Sequence, residues 1–400
     1  MTDQEKRKQY MEEHFEEAVR LLRTLGRIPA PSHKEDQRVE FCRNWFGDQG
    51  AEDVYVDEAK NVVCRMKGKD TESVTVIMAH MDVVFPDETM LPLREENGCL
   101  YAPGIGDDTA NLVNLMMAAK YVLEQGLCPE TTLLVVANSC EEGLGNLKGS
   151  RQIYKDYGSR IREWISFDGV LGECVNRAVG SYRYRVSVNV RGGHSYSDFG
   201  RENAIAVLAE IIHDLYQIEP PFGEKTTYNV GTIEGGTTVN SIAQSASMLY
   251  EFRSASQECL KEMEERFRAV IRKWQEDGNR EAVCRKRASG KNFGKEITVE
   301  VLGVRPGNGP VNEKRLEELT RVNVDLIESC ISGTVTVRAG STDANIPLSE
   351  GIPANTFGTV RGGLEHTREE WMEIESMREG MLVAMGTLAR YCTASGKTIL

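Results

Sequence analysis

At 400 residues the chain is longer than one hydrophobic core usually organises, so two domains are expected. With 40% hydrophobic and 27% charged residues, and no apolar run near the ~20 residues that cross a bilayer, it reads as an ordinary globular protein outside the membrane. Its 61 acidic and 48 basic side chains give a formal charge of −13, which repels phosphate backbones and excludes nucleic acid as a partner.

The first 20 residues are charged and helical in pattern, without the apolar segment of a signal peptide, which predicts a reducing, cytoplasmic setting. The ten cysteines include no C-x-x-C pair and read as small core residues rather than a zinc ribbon or redox couple. Over 13–25, Phe15, Ala18, Val19, Leu21, Leu22 and Leu25 recur at helical spacing until Gly26 and Ile28-Pro29-Ala30-Pro31 stop the helix. A second helix is predicted over 35–46. Apolar runs at 74–79, 131–137 and 164–167 predict strands, with a helix over 111–124 between the first two, hence an α/β sheet covered on both faces.

Near Tyr182 the pattern changes. Tyr182, Tyr184, Val186, Val188 and Val190 alternate with polar residues, as in a sheet with one wet face. Helices over 203–216 and 256–275 and strands over 228–233, 247–253 and 296–302 complete a strand-helix-strand-strand-helix-strand order. A smaller α+β, ferredoxin-like domain at 181–303 is therefore expected inside an α/β domain formed by 1–180 and 304–400. α/β character returns from Arg315 and ends in a helix over 367–391.

The chemistry lies where polar residues follow strands. His80 and Asp82 follow the first run, Glu141 and Glu142 the second and Asp168 the third, so three strand ends deliver imidazole and carboxylates to one sheet edge. Asp107 lies in Gly104-Ile105-Gly106-Asp107-Asp108, a turn ahead of the 111–124 helix, where two aspartates oppose an anion and favour a cation. So many clustered acids need a positive partner, and His with Asp and Glu suits zinc, manganese or cobalt better than magnesium or calcium. Two divalent ions, balanced by Asp107, Glu142, Asp168 and a bridging hydroxide, bring the site near neutrality. Glu141 is then left as a general base toward metal-bridging water.

These residues resemble the M20 metallopeptidases, with a peptidase T-like flavour and similarity to carboxypeptidase G2 and the succinyl-diaminopimelate desuccinylases. The resemblance rests on Met78 to Val84, Gly104 to Asp108, Cys140 to Gly143, Phe167-Asp168-Gly169, Gly192-Gly193-His194-Ser195, Asn240-Ser241-Ile242, Gly340 to Asn345 and Leu364-Glu365-His366-Thr367, in the family's order. It implies His80 and Asp168 on one metal, Glu142 and His366 on the other, Asp107 bridging, Asp82 orienting His80 through its second ring nitrogen, and Glu141 as base. It also implies a mixed-sheet di-metal catalytic domain with an inserted dimerisation or lid domain. There, His194 reaches the active site of the other subunit of a homodimer and polarises the scissile carbonyl.

Asn240 and Arg253 resemble a substrate-binding pair, and Gly340, Ser341 and Thr342 belong to a substrate-side loop. Thr109 departs from the pattern, standing where the family often has lysine. Aspartate at position 168 accompanies peptidases within the family, so a dipeptidase or tripeptide aminopeptidase acting on small peptides with zinc, cobalt or manganese is expected. The alternatives are an N-acyl amino acid deacylase and a non-catalytic binding protein on the same fold.

Overall fold

A computed structural model describes residues 2–276 and 295–394. The chain divides into two compact units, one of residues 1–178 and 308–400, the other of 179–307. The expected position of Cys284 lies outside the described residues, and the nine described cysteines are all free.

The first unit opens with α1 (Asp3–Leu25), started by a reciprocal cap in which the Thr2 side chain accepts from the Glu5 N–H and the Glu5 carboxylate accepts from the Thr2 N–H. The helix begins ten residues before the apolar spacing read over 13–25, within the first 20 residues that read as helical, and its early turns are held by this cap and by buried Tyr10 and Met11. After α2 (Asp36–Asp48) come β1 (Val54–Val56), β2 (Val62–Met66) and β3 (Asp70–His80), then α3 (Asn111–Glu124), β4 (Thr131–Asn138), α4 (Lys148–Tyr157), β5 (Ile161–Phe167) and β6 (Glu173–Ala178).

The second unit contributes β7 (Gly180–Asn189), α5 (Ala204–Leu215), β8 (Thr226–Gly235), β9 (Ser245–Ser254), α6 (Gln257–Glu276) and β10 (Glu296–Arg305). The chain then returns through α7 (Glu313–Cys330), β11 (Thr336–Gly340) and β12 (Ala354–Phe357) to α8 (Ser376–Ala389). The last helix starts later than the sequence suggests, because residues 371–373 pair as a short strand with 99–101 and bury Met372.

The first unit's sheet has eight strands in the order β1-β2-β4-β3-β5-β12-β6-β11. Its four central strands, β4, β3, β5 and β12, are parallel, whereas β2 runs against both its neighbours and β6 runs against β12 but parallel to β11. This is a mixed sheet with two cores. Ile77, Ala79, Val135 and Phe167 pack toward α1, α3 and α8. Val76, Met78, Val136 and Trp164 pack on the opposite side with Ile153 and Leu348. Residues one apart enter different cores, which explains why these strands read as unbroken apolar runs.

The second unit is an antiparallel four-stranded sheet in the order β8-β9-β7-β10. Tyr182, Tyr184, Val186, Val188, Tyr250 and Phe252 pack with Leu208 and Ile211 of α5 and Phe267 and Ile271 of α6. Arg185, between Tyr184 and Val186, is exposed, so the alternation seen in the sequence is that of a sheet covered by helices on one face.

Candidate metal centre

Three parallel strands and one turn converge at the carboxyl edge of the first unit's sheet. His80 ends β3, Glu141 and Glu142 follow β4 by three and four residues, and Asp168 directly follows β5. The turn before α3 brings Asp107. Gly104 opens that turn at φ +70°, and a Cβ there would lie 2.2 Å from Val83 Cγ1, so both backbone conformation and space demand glycine.

The two oxygens of Asp107 face different imidazoles. Oδ1 lies 3.0 Å from His80 Nε2, and Oδ2 lies 3.0 Å from His366 Nε2. His366 Nε2 is also 3.2 Å from Glu142 Oε1. His80, Asp107 and Asp168 bring one donor atom each within 4.8 Å of one another, and so do Asp107, Glu142 and His366. Two three-donor sets thus share one carboxylate. The set His80, Glu141 and Glu142 also meets this spacing.

Electrostatics give the same picture. Burial and the nearby Asp107 charge raise Glu142 to about 8 and push Asp168 well above the carboxylate range. Burial opposes protonation of His80, but the carboxylates of Asp108, Asp107 and Asp82 outweigh it and raise its pKa. Hydrogen bonds to Asp107 and Glu142 raise His366 to about 11. Against its own burial, Asp107 is held far below its ordinary value by His366 and His80. The acids and imidazoles compete for too few protons, and the donor set, imidazole with carboxylate, fits divalent ions of the zinc type at the same positions.

Supporting residues explain why the donors point inward. His80 Nδ1 donates to the backbone carbonyl of Asp82 at 2.9 Å, leaving Nε2 free to face Asp107. The Asp82 carboxylate is farther from the ring, at 3.6 Å, so the carbonyl makes the shorter contact. That carboxylate accepts from the Glu141 N–H at 2.9 Å, the Glu142 N–H at 3.0 Å and the Ser32 hydroxyl at 2.6 Å, which fixes the turn carrying both glutamates. Buried Glu35 accepts from the Cys140 N–H at 3.1 Å and steadies the same turn. Glu370 accepts from Gly104, Gly106 and Asp107 N–H at 3.0, 2.8 and 2.9 Å and so cradles the Asp107 turn. Sequence reasoning missed Ser32, Glu35 and Glu370. Their only signal was an acid or hydroxyl next to a proline stop or a histidine loop.

The remaining expected residues fall in both units. Gly340 ends β11, which runs opposite to the central four strands. Ser341 leads to Thr342, whose hydroxyl lies 2.7 Å from that of Thr356. Asp343 is buried and accepts from Asn138 Nδ2 and the Ser150 hydroxyl. In the second unit, a two-stranded ribbon pairs His194 with Ser241, and the Ser195 N–H donates to the Asn240 carbonyl, so His194 and Asn240 are neighbours. His194 Nδ1 accepts from the Tyr196 and Ser197 N–H groups at 3.2 and 3.3 Å, which leaves the proton of a neutral ring on Nε2. Arg253 makes a two-pronged pair with Glu251 at 3.0 and 3.1 Å.

Residues 76–390 match the model of Peptidase family M20/M25/M40, and the chain belongs to that family. It is an M20-type metallopeptidase, an amide-bond hydrolase. Over 371 residues it is 24% identical to the uncharacterised protein YqjE of Bacillus subtilis, covering 88% of this chain and 92% of that one. It is 26% identical to carboxypeptidase G2 of a Pseudomonas species over 217 residues, 52% of this chain and 51% of that one. A tripeptidase from Staphylococcus aureus shares the fold with a TM-score of 0.70 at 21% identity, over 94% of this chain and 99% of that one. Among the described residues, no helix is long and apolar enough to cross a membrane.

Proposed function

We propose that the protein is a cytoplasmic di-metal peptidase cleaving the amide bond of small peptides, as a dipeptidase or tripeptide aminopeptidase. His80 and Asp168 would hold one ion and Glu142 and His366 the other, with Asp107 as the carboxylate shared between the two sets. The supporting observation is the division of the Asp107 carboxylate between two imidazoles, each accompanied by a further acid. Zinc is the favoured metal, with cobalt or manganese as substitutes. When bound, the ions supply Lewis-acid polarisation and make water nucleophilic near neutral pH.

The chain's own residues do the rest. Glu141 takes a proton from the attacking water and delivers it to the leaving nitrogen as the carbon–nitrogen bond breaks. Asp82 keeps Glu141 in place through its backbone N–H. His194 of the second subunit of a homodimer donates its Nε2 proton to the developing oxyanion, a role supported by the two N–H groups that occupy Nδ1. Asn240, Arg253 and the Gly340-Ser341-Thr342 turn contact the substrate, and Arg253 exchanges Glu251 for a substrate carboxylate.

Glu141→Ala tests this reading. It should keep its bound zinc and lose about 10²–10⁴-fold in tripeptide turnover. Unchanged turnover would refute the assignment, and faster cleavage of N-acetyl or N-succinyl amino acids than of tripeptides by the wild type would favour a deacylase.

A further inference from the structure

Among the described residues, Arg38 is the one lysine or arginine with no solvent exposure. It stands on α2, away from the strand ends that carry the donors. Its Nε donates to the Ile28 carbonyl at 3.0 Å, and its Nη1 donates to the Met81 carbonyl at 2.7 Å and to Thr109 Oγ1 at 3.1 Å. Thr109 in turn donates to the Gly104 carbonyl. One guanidinium therefore ties the loop after α1, the peptide between His80 and Asp82, and the far end of the turn that carries Asp107. Burial lowers Arg38 to about 10, and Asp82, Asp108 and Glu370 are among the acids that keep it charged. An isolated buried charge is costly, so a cation in this place is explained by the acids around it.

We propose that Arg38 is a positioning residue for the metal pair. Its fork fixes the His80-Met81-Asp82 turn against the Gly104–Thr109 turn and so sets the spacing between His80 and Asp107, while its charge offsets the acids behind the ligands. Met81 is the natural point of control, since moving its carbonyl rotates both His80 and Asp82. This inference rests on the two-ion reading above.

The test is calorimetric titration of metal-free wild type, Arg38→Lys and Arg38→Met with zinc, alongside thermal melts of the same metal-free proteins. Both variants should bind zinc about 10–100-fold more weakly than wild type when measured well below their melting temperatures, with lysine the milder because it keeps the charge. A merely structural role would lower the melting temperature and leave the zinc affinity of the folded protein unchanged, and that result would overturn the proposal. Should Arg38→Met fail to fold, Arg38→Lys decides by the same criterion. A wild type that binds neither zinc nor cobalt would sink the two-ion reading and this inference with it, whereas tight wild-type binding matched by both variants would sink only the role of Arg38.

Discussion

Glu370→Gln separates support of the metal site from support of the fold. The carboxylate receives three backbone N–H bonds from the Asp107 turn and is almost fully buried. In the variant, the amide oxygen can keep Gly106 and Asp107, but its NH₂ group faces the Gly104 N–H, donor against donor. Losing that bond to a charged acceptor and leaving a buried donor unpaired costs about 2–4 kcal/mol. An opposing gain exists. Burial and Asp107 raise Glu370 from 4.5 to about 7, so ionising it in the metal-free protein is disfavoured by about 3 kcal/mol, a penalty that glutamine removes. The two terms nearly cancel, and urea unfolding in the presence of a chelator should find the variant within about 1–2 kcal/mol of wild type. Bound cations would neutralise Asp107 and remove its share of that penalty while the loss of the Gly104 bond remains, so zinc affinity should fall about 10-fold. A large loss of metal-free stability with unchanged zinc affinity would refute this reasoning.

The pH dependence of metal-free stability has a definite sign. Glu142 rises from 4.5 to about 8, Asp343 from 3.8 to about 7 and Glu370 from 4.5 to about 7, so between pH 5 and 8 the folded state holds more protons than the unfolded one. That stability is complete below the unfolded values and is lost as pH rises through the folded ones. The melting temperature of the metal-free protein should therefore fall from pH 5 to 8, and saturating zinc should offset the fall; a flat metal-free profile would contradict the assignment of these buried acids. If His194 acts across a dimer, mixing His194→Ala with Glu141→Ala chains should restore about a quarter of wild-type activity, because about half the dimers are mixed and each has one intact site. No recovery on remixing would argue against sharing.

The sequence made residues at strand ends legible because the apolar period locates those ends. His80, Glu141, Glu142 and Asp168 follow from that rule, and Asp107 from the glycine turn. His366 does not. Residues 364–370 have no periodicity, and His366 reaches Asp107 through a turn with left-handed backbone at Leu364 and His366, braced by Thr367 bonding to the Leu364 carbonyl. Only family resemblance pointed to it. Buried charges were hidden for another reason. Arg38 occurs in a helix and Glu370 in a charged loop, where ionic residues are normally solvated, and only tertiary contacts turn them into ties between segments.

The most direct measurement is anomalous diffraction at the zinc edge from crystals grown with excess zinc. Two peaks should flank the Asp107 carboxylate, one about 2.0–2.2 Å from donors of His80 and Asp168, the other at the same range from Glu142 and His366. A single peak, or His366 turned away from Asp107, would contradict the account.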